Sequence, residues 1–341
     1  MQEQNIRQFP KIELHCHLDG SVSERALETI MKASEQYSQA QFEAVRKRLK
    51  APDQLVDLAD YLTCFDYVLP FLQNAFSLRT AAYELIRQAA MEQVLYIEVR
   101  FAPQFHCQGE LDQMGAARAV LEGLELGERD FGVKSRAILC MMRGQEREKN
   151  QKTLDCVKSL RPYGVGGLDL AGNEAAYPPE LYRELFDQAH AMDIPYTIHA
   201  GECGSAANVK RSVEMGAKRI GHGVAIAGDG EVTALCRQNG ITLEMCPVSN
   251  LQTGAVKRLE EYPFRQIRDE QIAVALNTDN RTVSDTTLTK EWMVLDRQCS
   301  TVTENVLKET GLHSIAAAFL PSEEKEKLRH EFQEIIEKLN I

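Results

Sequence analysis

Eight short apolar segments alternate with helix-like segments along the 341 residues, and this alternation constrains the fold more than any other feature of the chain. Each apolar segment has the length of a strand, and the stretch after it repeats apolar residues every three or four positions, which is typical of a helix. No linker rich in proline, glycine or serine interrupts the series. Eight such units predict a closed parallel (β/α)8 barrel, with a doubly wound open sheet as the alternative. The predicted strands are 11–17, 94–101, 135–142, 165–171, 195–199, 219–224, 242–246 and 272–276.

A long helix-like insertion separates the first two predicted strands. Residues 22–49 have a helical pattern with a break at Tyr37 and Ser38, and residues 71–91 have another. Between them we expect a helix that begins at Pro52 and Asp53 and runs to Pro70, with an apolar stripe of Leu55, Leu58, Tyr61, Leu62 and Phe65. This stripe is either the underside of a lid over the barrel mouth or ordinary helix core. With helices from residue 287 to the end, the chain is predicted to form one domain over residues 1–341.

The composition limits the classes of partner. The net charge is −11, with 39 basic and 50 acidic side chains, which argues against nucleic acid and anionic membranes because both attract positive surfaces. The nine cysteines include no Cys-x-x-Cys pair and are interpreted as reduced thiols. The first residues have no apolar signal region, and no apolar run of about 18 residues follows. The expected location is the cytoplasm.

The first predicted strand carries two histidines near its end. In KIELHCH, apolar residues alternate with Glu13, His15 and His17, so that both imidazoles project from the same face of a strand. The turn at residues 19–21 then ends the strand, because Asp, Gly and Ser favour turns and helix starts. The pair therefore lies at the carboxyl end of the strand, which is the face where parallel barrels build their active sites.

Polar residues also follow three later strands, and in a barrel all these strand ends converge on one mouth. Together with the first strand they supply three imidazoles and one carboxylate, from His15, His17, His199 and Asp279. This set suits Zn²⁺ with an open position for water, although Fe²⁺ or another divalent ion uses the same ligands. The end of the fourth strand has no lysine to bridge a second ion, so one ion is expected. Glu202 and His222 remain as the acid and as the group that accepts or orients a proton of water.

These residues resemble the adenosine deaminase family of metal-dependent amidohydrolase barrels. The resemblance runs in order through ELHCHLDGS, FDYVLP, YIEVRFAP, DLAGNE, HAGE, GHG, CPVSN and LNTDN and covers nearly the whole chain. It implies one zinc ion per chain on the four ligands above. It also implies that Glu202 protonates the purine N1, and that His222 orients or deprotonates the water that attacks C6.

The same resemblance implies the substrate contacts. Asp19 would meet the ribose hydroxyls, and the Gly172 amide would bind the purine N3. The lid would be lined by Leu58, Leu62 and Phe65. Many relatives end the last strand in Asp-Asp-Pro, whereas this chain has Asp279-Asn280-Arg281, so the contact to the purine N7 is altered. Asn280 either donates to N7 through its amide or caps the turn after the last strand.

The implied activity is hydrolytic deamination of adenosine and 2'-deoxyadenosine to the inosine forms with release of ammonia, in purine salvage. The expected partners are a purine nucleoside and water, and the sequence does not indicate an oligomeric state. One alternative is a sibling aminohydrolase that acts on adenine, AMP or a 5'-modified adenosine. Another is a barrel that binds a nucleoside without turnover, against which the intact Glu202, His222 and four ligands count.

Overall fold

Parallel strands and helices alternate through the chain in a computed structural model, which describes residues 1–34, 37–52, 58–203, 205–299 and 302–339. The strands are β1 Lys11–His17, β2 Val94–Phe101, β3 Lys134–Met142, β4 Val165–Ala171, β5 Thr197–Ala200, β6 Arg219–His222, β7 Thr242–Met245 and β8 Ala273–Leu276. They form two four-stranded parallel sheets, of order β1-β2-β3-β4 and β5-β6-β7-β8.

Single β-bridges join the two sheets at both seams. Leu168 of β4 pairs with Tyr196, just before β5, and Cys16 of β1 pairs with Asp279, just after β8. At the second seam the His17 amide donates to the Asp279 carbonyl (2.7 Å), and the Asp279 amide donates to the His15 carbonyl (2.9 Å). The eight strands therefore follow one another in chain order around a ring, and the predicted (β/α)8 fold is confirmed.

Helices cover the outside of the barrel. In the described part of the chain they are α1 Glu3–Gln8, α2 Glu24–Lys32, α3 Gln39–Arg46, α4 Leu58–Leu62, α5 Ala75–Met91, α6 Gln113–Phe131, α7 Arg147–Leu160, α8 Arg183–Ala191, α9 Ala206–Glu214, α10 Gly230–Gln238, α11 Pro247–Gln252, α12 Phe264–Asp269, α13 Leu288–Cys299, α14 Glu304–Ala317 and α15 Ser322–Leu339. Side-chain caps define several starts, such as Asn74, which forms a capping box with Ser77 at the start of α5. Among the described helices, none has the length and apolar character needed to cross a membrane.

The insertion after β1 differs in part from its prediction. The break at Tyr37 and Ser38 is confirmed, because the Ser38 side chain caps α3. The single helix expected up to Pro70 is wrong: α4 continues as 3-10 turns over Thr63–Tyr67 and Leu69–Phe71. Pro70 lies at the start of the second of these turns, where the missing amide donor of a proline is tolerated. The expected helix start at Asp53 and the stripe residue Leu55 lie outside the described residues.

Other helices also differ from the prediction. The helix expected from residue 71 begins only at Ala75, behind its Asn74 cap. Two short helices, α1 and α11, were not predicted at all. Helix α11 is six residues long and begins at Pro247, a residue whose ring favours the first helical position and whose missing amide costs nothing there.

Five charged side chains lie fully buried inside the barrel and form what we call the interior charge network: Glu98, Arg100, Asp169, Arg219 and Glu244. The Arg100 guanidinium contacts Asp169 (3.0 Å) and Glu244 (2.8 Å). The Arg219 guanidinium contacts Glu244 (2.6 Å) and Glu98. A buried charge without a partner is costly, so these pairs favour one arrangement of β2, β4, β6 and β7.

Candidate active site

Four side chains that the sequence places far apart meet at the carboxyl ends of the strands, and we call them the mouth cluster: His15, His17, His199 and Asp279. Each offers one ligand atom within 4.8 Å of the others. The Nε2 atoms of His17 and His199 are 3.3 Å apart. The Oδ1 atom of Asp279 lies 3.3 Å from His15 Nε2 and 3.4 Å from His17 Nε2.

Two of the rings are oriented from behind by carboxylates. His15 Nδ1 is 2.8 Å from Glu244, and His199 Nδ1 is 3.0 Å from Asp169. A neutral imidazole that donates from Nδ1 has its lone pair on Nε2, which here points into the cluster. His15 Nε2 is buried and has no hydrogen-bond partner. An unpaired buried acceptor of this kind fits a cation at the centre of the cluster.

The aspartate is oriented in the same manner. The Ser249 hydroxyl donates to Asp279 Oδ2 (2.6 Å), while Oδ1 faces the rings. Asp279 also has a left-handed backbone (φ 59°), which is strained for a residue other than glycine and is held here by its bridge to β1. Three nitrogens and one oxygen converging in a buried site are a donor set that fits a divalent metal such as zinc.

Electrostatics favour the metal-binding states of His17, His199 and Asp279. Burial would lower the pKa of His15, but its contacts with Asp279 and Glu244 raise it. Burial lowers the pKa of His17 well below its usual value, so its ring is neutral. Burial alone would raise the pKa of Asp279, but the adjacent His15 ring and the other nearby imidazoles hold it well below its usual value. The neighbouring carboxylate is therefore ionised while the ring keeps its lone pair.

Two further titratable groups stand beside the cluster. Glu202 Oε2 is 3.7 Å from His222 Nε2, and both groups lie within 4.8 Å of Asp279. Burial raises the pKa of Glu202 well above its usual value, and the charges of Asp279 and Glu174 raise it further. A carboxyl group that stays protonated near neutral pH can act as an acid. On the other side of the ring, the Asn250 side chain contacts His222 Nδ1 (2.9 Å).

A cavity of about 320 Å³ is lined by His17, His199, Asp279, Glu202 and His222, whereas His15 is fully buried and does not line it. The predicted residues Asp19, Gly172 and Asn280 line it at the strand ends, and Leu58, Leu62 and Phe65 line it from the insertion. The structure thus brings every predicted site residue except His15 to the wall of this cavity, and His15 contacts the others within the mouth cluster. Its remaining wall is mainly apolar, with Ala102, Phe105, Cys140, Met142 and Ala171. Among the described residues that line it, none is lysine or arginine.

Sequence reasoning missed the residues that orient the site. Asp169 and Glu244 are acids inside the otherwise apolar strands LDLA and TLEM, and that contrast was the signal that could have identified them. Ser249 and Asn250 belong to the motif CPVSN, but nothing local shows that α11 brings them under Asp279 and His222.

A parallel barrel with a buried cluster of three histidines and one aspartate at its mouth defines a metal-dependent hydrolase. Residues 10–335 match the family described as adenosine deaminase, and this chain belongs to that family. An adenosine deaminase of Enterococcus faecalis is 46% identical over 334 residues, which cover 98% of this chain and 99% of that protein.

Two solved structures are similar over almost the whole chain. An amidohydrolase of Burkholderia ambifaria with bound zinc has a TM-score of 0.86 at 25% identity, covering 99% of this chain and 94% of that one. The N6-methyl-AMP deaminase of Arabidopsis thaliana has a TM-score of 0.85 at 23% identity and covers 98% of each chain. At that identity the second comparison supports the shared fold alone.

Proposed function

We propose that this chain catalyses the hydrolytic deamination of adenosine and 2'-deoxyadenosine to inosine and 2'-deoxyinosine, with release of ammonia, in purine nucleoside salvage. The observation that carries the proposal is the convergence of the mouth cluster with Glu202 and His222 on one cavity. Membership of the adenosine deaminase family and the 46% identical relative of that name support the same reaction.

The metal that we assign to the mouth cluster is one zinc ion per chain, held by His15, His17, His199 and Asp279. The buried, unpaired Nε2 of His15 and the choice of three nitrogens with one oxygen support this assignment. When bound, zinc supplies the activation of water near neutral pH.

Two residues of the chain handle the protons. The protonated carboxyl of Glu202 donates to the purine N1 while water adds to C6, which lets the ring accept the new bond without building up negative charge. His222, 3.7 Å from Glu202, accepts or orients the proton of that water. The amino group leaves as ammonia with the proton that His222 accepted from water, and the C6 hydroxyl gives its proton to Glu202, so that C6 becomes a carbonyl and both side chains return to their starting states.

We assign the substrate contacts from the residues that line the cavity. We assign Asp19 to the ribose hydroxyls, the Gly172 amide to N3 and the Asn280 amide to N7. Asn280 is buried and lines the cavity, and its side chain carries an NH2 donor that matches the lone pair of N7. Leu58, Leu62 and Phe65 cover the nucleoside from the insertion and exclude water from the reacting ring.

The cavity wall also bears on the alternatives. A phosphate group binds best to Arg or Lys, and the described lining offers neither, so AMP is disfavoured. Adenine would leave Asp19 without a sugar to contact. We further propose that residues 1–341 act as a single domain in the cytoplasm, which the free state of the eight described cysteines supports.

The test is a substrate panel of adenosine, 2'-deoxyadenosine, adenine, AMP and 5'-methylthioadenosine, followed by the loss of the 6-amino chromophore. We expect kcat/KM for the two unmodified nucleosides to exceed that for AMP by about 10²-fold or more. Faster turnover of adenine, AMP or the thioether would transfer the assignment to a sibling aminohydrolase. Binding of adenosine without turnover would make the chain a nucleoside-binding barrel.

A further inference from the structure

Glu174 is a buried residue, three positions after the end of β4. Its carboxylate contacts the turn that contains Glu202. Its side chain is only 2% exposed. Its carboxylate accepts hydrogen bonds from the amides of Gly201 (3.0 Å) and Cys203 (2.6 Å), which are the residues immediately before and after Glu202. Glu174 does not line the cavity itself.

A second contact fixes Glu174 in turn. The Asn208 side-chain amide, from α9, donates to the Glu174 carboxylate (3.0 Å) and to its backbone carbonyl (3.3 Å). Glu174 therefore connects the loop after β4, the turn after β5 and the first turns of α9. Hydrogen bonds from neutral amides to an ionised carboxylate are stronger than neutral ones, so the three segments are held as a unit.

The turn needs such support because its backbone is unusual. Gly201 has a left-handed backbone (φ 75°), and a side chain there would meet Val209 at 2.8 Å. The chain thus bends sharply between His199, a member of the mouth cluster, and Glu202. An acid must be within hydrogen-bond reach of the atom it protonates, and a displacement of about 1 Å can cost about 10²-fold in rate.

We propose that Glu174 is a positioning residue for proton transfer: its carboxylate clamps the amides on both sides of Glu202 and so aims the Glu202 carboxyl into the cavity. This inference rests on the proposed function, because it assigns Glu174 to the acid of that reaction. It predicts that Glu174 acts on turnover through Glu202 and leaves metal binding unaffected.

The test combines Glu174→Gln with Glu202→Gln in a double-mutant cycle. Gln offers only one oxygen, and its NH2 group would face one of the two amides, so the clamp is broken at nearly constant size. We expect Glu174→Gln to lower kcat for adenosine by about 10-fold or more, with KM changed less than about 3-fold and the zinc content kept. In the Glu202→Gln background the same change should cost less than about 3-fold, because there is no acid left to aim.

Two further variants keep the test decisive. Glu92→Gln is the matched control, since Glu92 is also buried and accepts an amide hydrogen bond, from Thr289 (3.1 Å), but lies at the opposite end of the barrel. We expect it to leave kcat within about 2-fold. Asn208→Ala removes the donor to Glu174 and should give a smaller loss of kcat with the same dependence on Glu202. This variant replaces Glu174→Gln in the test if Glu174→Gln does not fold.

The outcomes are distinguishable. A kcat for Glu174→Gln within about 3-fold of the parent overturns the inference, and so does an equal loss in the parent and Glu202→Gln backgrounds, which would mean a general structural role. Failure of the proposed function would appear earlier, as a parent chain that does not deaminate adenosine.

Discussion

The interior charge network and the mouth cluster are both buried polar groups, yet they are built in opposite ways. In the network, each guanidinium faces two carboxylates, so that positive and negative groups alternate. In the mouth cluster, lone pairs face one another: two ring nitrogens stand 3.3 Å apart beside a carboxylate oxygen. Burial alone therefore does not mark the site; the surplus of acceptors does.

Two carboxylates of the network, Glu244 and Asp169, also contact the mouth cluster, at His15 and His199 respectively. Glu244 contacts Arg100 and Arg219 in the network and His15 in the mouth cluster. Burial would raise the pKa of Glu244, but the two guanidinium groups hold it well below its usual value. The network thus supplies a permanent carboxylate that orients the His15 ring of the mouth cluster.

The largest expected effect is the loss of bound metal and of activity when a residue of the mouth cluster is replaced. His15→Ala and Asp279→Ala each remove one of four ligands, so we expect the parent to hold about one zinc per chain and these variants to lose both the metal and activity. Metal analysis and the adenosine assay measure this. His190→Ala, on the exposed side of α8, is the control and should keep both. Full zinc and activity in either ligand variant would contradict the assignment.

Breaking the interior network should instead lower stability. Arg219→Met leaves Glu98 and one side of Glu244 unpaired, and removing one member of a buried pair costs about 3–5 kcal/mol. We expect that loss in the free energy of unfolding measured with denaturant, while kcat of the folded variant stays within a few-fold. A loss below about 1 kcal/mol would mean that the network is not a structural support.

The third-largest expected effect concerns Glu202, which lies beside the mouth cluster. Glu202→Gln preserves the shape of the side chain but cannot donate a carboxyl proton, so kcat should fall about 10²-fold or more. Zinc content and the binding of a purine nucleoside that is not turned over should change far less. Turnover within a few-fold of the parent would show that another group is the acid.

The smallest effect concerns substrate recognition at Asn280. N7 of adenosine has a lone pair and no proton, so an asparagine can donate to it at every pH, whereas an ionised aspartate would repel it. A buried contact of this kind is worth about 1–3 kcal/mol, or roughly ten- to a hundredfold in kcat/KM. Parent and Asn280→Ala should be compared with adenosine and with 7-deazaadenosine, which lacks the acceptor. Equal losses on both substrates would mean that Asn280 acts by capping the turn.

Much of the fold and of the candidate site could be predicted from patterns of a few consecutive residues. Alternating apolar segments and helical spacing predict the (β/α)8 barrel because strand and helix periods are properties of a few consecutive residues. The period of two in KIELHCH also places His15 and His17 on one face, and the carboxyl ends of parallel strands must meet at one mouth. The same argument, with ordered motifs that resemble a known family, predicts that His199, Glu202, His222 and Asp279 lie at that mouth, and the structure brings them together.

Only the tertiary structure decided which side chains contact and orient these site residues. Glu244 and Asp169 reach His15 and His199 across more than 25 residues of chain, and Glu174 reaches the turn at Glu202 from the loop after another strand. No local period encodes these pairings, since each depends on how far the strands are shifted against one another when the ring closes. The 3-10 turns after α4 and the short α11 were decided in the same way, because packing outweighs weak local propensity in segments of five or six residues.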